Sequence, residues 1–295
     1  MKMFYNARME KTDILNDWKN RPCVLATMHH KEKVIAPLLQ RELGISVTVP
    51  PNFNTDQFGT FTRNIARVGN QLEAARKKAR SAMEQTGFDV GVASEGSFGS
   101  HPSLPFLASN LEIIVLIDNR YDIEVVGHYR TSKIQAQGQM VYTPEEATAV
   151  ARSWGFPDQG VIVRLSEKSN RHIYKDIITI DNLEAVSKQL LSQWFVTRIF
   201  LETDMRAHRC PGRMESIERA TLDLITNCQS VCPTCATPGY VITNTVTGLL
   251  CSQCHLPTDV VKETIHSCRK CSHQEHKPIT DRTFAEPRDC PWCNP

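Results

Sequence analysis

Short apolar runs alternate with amphipathic stretches between residues 20 and 227. Cys23 to Thr27 (CVLAT) has the pattern of a buried strand and leads into a polar turn of Met28, His29, His30, Lys31, Glu32 and Lys33. Val34, Leu38, Leu39 and Leu43 then recur at helical spacing, with Gly44 behind them as a stop. Ser46 to Val49 is rich in β-branched residues and meets Pro50 and Pro51, which predicts a second strand ended by prolines. Residues 1 to 20 are polar and mixed in charge and read as a surface segment, and 52 to 70 read as a polar loop.

From Gln71 to Thr86, the residues Leu72, Ala75, Ala79 and Met83 mark one helix face, and Gly87 follows as a stop. Arg76, Lys77, Lys78 and Arg80 fall at the other positions and read as a solvated face. Val90, Val92 and Ala93 predict a short buried strand that runs into a polar, glycine-rich loop from Ser94 to Ser103. Leu111 to Ile117 and Ile123 to Val126 flank Asp118, Asn119, Arg120 and Tyr121 as an antiparallel hairpin. Pro144 opens a helix that stops at Gly155, Gly160 to Leu165 and His172 to Ile178 read as strands, and Asn182 can cap a helix to Trp194. Arg198 to Leu201 is a last strand before the polar segment Glu202 to Met214, where Pro211 starts a final helix. The alternation predicts an α/β domain over residues 1–227, with a mixed sheet and flanking helices.

Composition changes this picture mainly at the C-terminus. Eight of the eleven cysteines form CxxC pairs: Cys232 and Cys235, Cys251 and Cys254, Cys268 and Cys271, Cys290 and Cys293. In a reducing compartment such pairs are metal clips rather than disulfides, and two knuckles supply the four thiolates of a closed zinc tetrahedron. Residues 228–295 therefore read as a double zinc-ribbon module with two structural zinc ions. Sequential pairing of knuckles is simplest, and interleaved pairing, the outer two sharing one ion and the inner two the other, stays open. Four thiolates leave no site for water, so these metals are structural rather than catalytic.

Net charge is +2 from 34 basic and 32 acidic residues, so no global field favours nucleic acid or an anionic membrane. Residues 228–295 carry six lysines or arginines and six acids, a poor counterion-releasing surface, which argues against nucleic acid and leaves a protein partner for the ribbons. No apolar run reaches membrane-spanning length, and no signal-peptide pattern opens the chain, so a cytoplasmic protein is expected.

Three polar clusters follow predicted strand ends: His29, His30, Lys31 and Lys33; Glu95 and His101; and Glu202, Asp204, Arg206, His208, Arg209 and Arg213. If those strands are parallel neighbours, the clusters converge at the carboxyl edge where open α/β sheets bind ligands. Lys31, Lys33, Arg206 and Arg213 are then the candidate phosphate-binding residues. Glu95, Glu202 and Asp204 are the candidate acids for holding Mg²⁺ or activating a water. The plainer reading of each is a surface ion pair.

The segments ATMHHKEKVIAPLL, ASEGSFGSHPS, ETDMRAHRCPGRM and CPTC with its later CxxC partners together resemble an uncharacterised bacterial family with this α/β domain and a cysteine-rich tail. The first 130 residues also resemble the inosine/xanthosine triphosphate pyrophosphatases. Thr27, His30 and Lys33 stand roughly where that family has a triphosphate-gripping T-x-N-x-x-K turn. Ala74 to Ala79 is similar to its second-helix pattern, and Glu95 with Gly96 matches its metal-binding acid and glycine. The segment GTFTRN, Gly59 to Asn64, resembles its GTF-x-E-N turn, with Arg63 where the family has an acid. The resemblance implies a Mg²⁺-dependent hydrolase of a nucleotide or other phosphorylated small molecule around Glu95. The alternative is a non-catalytic adaptor that docks a protein through its zinc ribbons.

Overall fold

The computed structural model describes residues 13–51, 53, 70–134, 136–168, 172–279 and 281–295. The GTFTRN turn and most of the predicted polar loop lie outside the described residues. The first elements are α1 (Ile14–Trp18), β1 (Pro22–Ala26), α2 (Glu32–Leu43), β2 (Ser46–Thr48), α3 (Gln71–Thr86), β3 (Val90–His101), β4 (Leu104–Asp118) and β5 (Ile123–Thr131). They build a mixed sheet of order β2-β1-β3-β4-β5, parallel across β2, β1 and β3 and antiparallel from β3 to β5.

A second, antiparallel sheet of order β6-β9-β7-β8 follows, so the α/β part contains two sheets where alternation alone predicted one. Its elements are β6 (Gly138–Val141), α4 (Pro144–Ser153), β7 (Val161–Arg164), β8 (Tyr174–Ile177), α5 (Ile180–Leu191) and β9 (Ile199–Thr203). The periodicity gave no sign of β6, whose four residues are too few for a pattern. The α5 helix is capped by Thr179, whose hydroxyl accepts from the Asn182 N–H, and it ends at Leu191 rather than Trp194. A turn of 3-10 helix, Ala207–Arg209, leads from β9 into α6 (Pro211–Gln229).

Each sheet has its own core. Cys23, Leu25, Val92, Ile114 and Leu116 on one face of the first sheet pack with Ile35 and Leu39 of α2 and with Ile217 and Leu224 of α6. Val24, Ala26, Ala93, Val115 and Ile117 on the other face pack with Ala75, Ala79 and Met83 of α3. Val161, Val163, Ile199 and Leu201 of the second sheet join Ala147, Ala151, Leu183 and Leu190 of its helices. Gly127 in β5 lets α6 approach closely, because a Cβ there would meet backbone atoms of Ala220 and Leu224.

Two sequence expectations change at the ends of the first sheet. The polar N-terminal segment contains α1, whose Trp18 is fully buried and donates from its indole to Asp118 Oδ2 at 2.7 Å. Arg21 joins the same carboxylate in a bidentate pair. The predicted glycine-rich loop after Ala93 is instead the second half of β3, paired with β4 from Ser94↔Ile114 to Ser100↔Ala108. Small polar side chains are tolerated there because the strand ladder satisfies the backbone.

The tail forms a three-stranded antiparallel sheet of β10 (Val241–Thr247), β11 (Val261–Ser267) and β12 (Gln274–Pro278). The chain is thus a mixed α/β protein with flanking helices and two C-terminal cysteine clusters. Lys270 donates to the Tyr121 carbonyl at 2.9 Å, and Arg269 meets Glu124 at 3.2 Å, which joins the third CxxC turn to the β4–β5 turn and the start of β5.

Candidate functional site

The four knuckles share one local design. Hydrogen bonds run from Ala236, His255, Ser272 and Asn294 N–H groups back to the first cysteine carbonyl of each CxxC turn. Ala236, His255 and Ser272 adopt left-handed backbone with φ of 59°, 57° and 57°. Cys232, Cys235, Cys268 and Cys271 form one group, and Cys251, Cys254, Cys290 and Cys293 the other, with the ligand atoms of each within 4.8 Å of one another. Sulfur separations are 3.6 Å for Cys232–Cys271 and Cys235–Cys268, and 3.8 and 3.6 Å for Cys251–Cys293 and Cys254–Cys290. A tetrahedron with zinc–sulfur bonds of about 2.3 Å has edges of about 3.8 Å, so both groups fit structural zinc.

The pairing is first knuckle with third and second with fourth, neither the sequential arrangement nor the outer-with-outer alternative. One strand separates each knuckle from the next. A seven-residue strand spans about 23 Å, so β10 carries the chain from the first group to the other end and β11 carries it back.

The second candidate site lies at the carboxyl end of β1. The chain leaves β1 for β2 on one side through α2, whereas β3 lies on the other side of β1, and α2 and α3 cover opposite faces. The gap between β1 and β3 is therefore a topological switch point, the usual ligand crevice of open α/β sheets. Parallel pairing stops at Ala26↔Ala93, so Ser94 and Glu95 lie just beyond the end of β1.

His29 and His30 turn the chain there, with φ of 67° and 60°. Two successive non-glycine residues in the left-handed region store of the order of 1–3 kcal/mol each, a strain that clusters at functional sites. The turn delivers Lys31 to the start of α2, where no side chain caps the helix. Lys31 is buried, and its Nζ donates to Ser94 Oγ at 2.9 Å. That hydroxyl is its one hydrogen-bond partner among the described residues. Burial lowers the Lys31 ammonium to about pKa 8; Arg213 and Lys78 push the same way, while Glu112 and Glu95 oppose them.

Glu95 projects to the α3 face, where Lys78 Nζ lies 2.5 Å from its Oε2. The predicted solvated face of α3 is corrected here: Lys78 is buried, and Arg76 makes a bidentate pair with Glu124. Lys78 falls on the Ala74, Ala82 row of the helix, an inward row that its charge concealed. On the opposite face, Arg213 Nε donates to Glu112 Oε1 at 2.8 Å, and Asn110 Nδ2 donates to the same oxygen at 3.1 Å. Both Glu112 and Arg213 are essentially unexposed. Glu112, an acid opening the apolar run LEIIVLID, is a site residue the sequence reading missed; its position was the available signal.

The Glu202–Met214 segment reaches this edge although β9 belongs to the other sheet. His208 stacks on His29 with ring centroids 4.9 Å apart, and His30 meets it edge-on at 5.7 Å. Burial, then His208, Lys31, Arg206 and Arg213, holds His29 down at about pKa 3, so the stack is neutral at His29 near neutral pH. Asp204 is fully buried, and Arg206 donates from Nε to its Oδ1 and from Nη2 to its Oδ2. Arg206, Arg209 and His208 gather on Asp176 and hold its carboxyl at about 2, against the opposing effect of burial.

Of the seven predicted residues, Lys31, Glu95, Arg206, Arg213 and Asp204 lie around the turn that follows β1, with Glu95 on the α3 face and Arg213 on the opposite one. Glu202 is elsewhere, bound to Arg164 at 2.6 Å across β7 and β9, and Lys33 is exposed on α2. The carboxylates do not form a ready Mg²⁺ site. Glu95, Glu112 and Asp204 are each joined to a cation, and the convergent His, Cys, Asp and Glu groups among the described residues are the two cysteine tetrads.

These features define a mixed α/β protein with a polar switch-point site and two cross-braced four-cysteine clusters. The chain belongs to the family described as Domain of unknown function (DUF6671), whose model matches residues 78–295 and so includes Glu95, Arg213 and both tetrads. No curated protein matches the sequence. No helix among the described residues is long and apolar enough to cross a membrane.

Proposed function

We propose that residues 1–227 bind and hydrolyse a phosphorylated small molecule, such as a nucleotide, at the β1–β3 switch point, and that residues 228–295 form a structural zinc module. The observation that carries this reading is Lys31, a buried lysine whose hydrogen-bond partner is a neutral hydroxyl. A buried ammonium is unfavourable unless an anion pairs with it, and among the described residues Glu95, Glu112 and Asp204 each already have their own cation. A phosphoryl oxygen supplies the missing charge, with Arg206, Arg213 and the start of α2 around it. Mg²⁺ enters this proposal with the ligand's phosphates, as it does where few carboxylates are free. Eight zinc thiolates fit a reducing compartment, so the cytoplasm is the proposed location.

A thermal-shift screen of the zinc-loaded chain against nucleotides and sugar phosphates, with and without Mg²⁺, tests the reading. A ligand at 100 times its Kd stabilises by about 2.7 kcal/mol. The expected result is a hit that Lys31→Met abolishes; a flat screen rejects the site. The adaptor reading rests on a different observation: Leu250, Leu256, Phe284 and Trp292, all near the second tetrad, are exposed. A protein partner retained by the full chain and lost on substituting Trp292 would favour it.

A further inference from the structure

We propose that Ser94 is a nucleophile and Lys31 its general base, so that the phosphoryl group passes through a covalent serine intermediate. The inference rests on the reading of this edge as a phosphate site, but its central test does not. Ser94 is the first residue of β3 beyond the end of β1, and its hydroxyl lies 2.9 Å from Lys31 Nζ. Ser94 is 2 % exposed and Lys31 8 %, so water screens their interaction little. No carboxylate lies within ion-pair distance of Lys31 among the described residues, and its neutral form is accessible near physiological pH. A nucleophile hydrogen-bonded to a base whose pKa lies near ambient is the general signature of covalent catalysis.

In the first step, Ser94 Oγ bonds to phosphorus as the bond from phosphorus to the leaving-group oxygen breaks. The serine proton moves to Lys31 Nζ and then to the leaving oxygen. In the second step, water bonds to phosphorus and gives a proton to Lys31 Nζ, the Oγ–phosphorus bond breaks, Lys31 returns that proton to Ser94 Oγ, and inorganic phosphate departs with Ser94 restored. The ammonium formed in the first step appears beside the oxygens on which negative charge builds, so the proton that charges Lys31 comes from its own neighbour. Glu112 on β4, Arg213 on α6, Lys78 on α3 and Glu95 on β3 are the charged groups that act on Lys31, with His29 in the adjoining turn.

The test uses an alkyl fluorophosphonate on the zinc-loaded full-length chain, with the adduct located by peptide mass mapping. Here Ser94 Oγ displaces fluoride from phosphorus and Lys31 takes the proton. The expected adduct is on Ser94, absent in Ser94→Ala and slowed at least tenfold in Lys31→Met. Its rate should rise with pH and level off above about 8. Circular dichroism of both variants checks that they fold, and Lys31→Arg, which keeps the charge but not the base, should also label slowly. No adduct on Ser94, or undiminished labelling in folded Lys31→Met or Lys31→Arg, overturns the proposal. Labelling at Ser94 with a flat ligand screen would reject the phosphate reading alone; ligand binding without labelling would reject the nucleophile alone.

Discussion

Lys78 on α3 and Glu95 on β3 form an ion pair at 2.5 Å with both side chains less than a tenth exposed. The pair fixes α3 against the sheet immediately beyond the β1 end, and it makes Glu95 a buried counter-ion. Removing one member leaves the other charge buried. Lys78→Met is expected to destabilise the fold by about 3–5 kcal/mol, and Lys78→Met with Glu95→Gln by clearly less. Urea titrations of the two variants measure this; equal losses would show that the partner charge is not what matters.

Gly96 should not tolerate even alanine. A Cβ at Gly96 would lie 2.5 and 2.6 Å from the Glu112 carboxylate oxygens and against the Arg213 guanidinium, which lies over the strand at this point. Gly96→Ala is expected to lower stability by about 1–3 kcal/mol, as overpacking does, and to weaken ligand binding with it. Gly99, where an added Cβ meets nothing within 4 Å, is the control. Chemical denaturation of both variants decides.

The cross-braced tetrads make a stoichiometric prediction. Cys232→Ala with Cys268→Ala removes two ligands from one group and none from the other, so the variant should retain one zinc per chain. Sequential pairing would damage both sites. Zinc content by atomic emission distinguishes them. Among the described residues, the apolar cluster of the tail is confined to Cys232, Tyr240 and Cys268 with Cys235, so chelation is expected to abolish its tertiary structure.

The His29–His208 stack makes stability sensitive to mild acid. His29 in the folded chain titrates at about 3, below its ordinary value of 6.5, so between those values the unfolded chain binds the extra proton. Stability contributed by the neutral ring is complete above pH 6.5 and declines as pH falls toward 3. His29→Phe keeps a ring in the stack and removes the titration. Its melting temperature should fall less than wild type between pH 7 and pH 4.5; parallel curves would refute the neutral-histidine account.

Lys31 predicts a conflict between stability and function. Its folded pKa of about 8 is below the ordinary 10.5, so the buried charge destabilises the ligand-free fold at every pH below 8. That effect fades as pH rises from 8 to 10.5. Lys31→Met should therefore raise stability at pH 7 by about 1–3 kcal/mol, the gain vanishing near pH 10.5. A melting temperature lowered at pH 7 would overturn this.

The sequence alone determined the local elements and the cysteine pairs that could hold metal. The CVLAT strand, the helix stops at Gly44 and Gly87, the β4–β5 hairpin and the eight cysteines that could hold metal follow from side-chain periodicity, backbone preference and spacing, which are local properties. Tertiary structure decided what depends on which strand lies beside which. Ser94 to His101 has little apolar content, and only the β4 partner turns it from a loop into a strand. Lys78 reads as solvated until Glu95 is placed opposite it, and His208 comes from another sheet to meet His29. The knuckles pair first with third because a single strand carries the chain the full length of the module between consecutive turns. In each case the partner is distant in sequence, and a one-dimensional pattern holds no term for an interaction that exists only after folding.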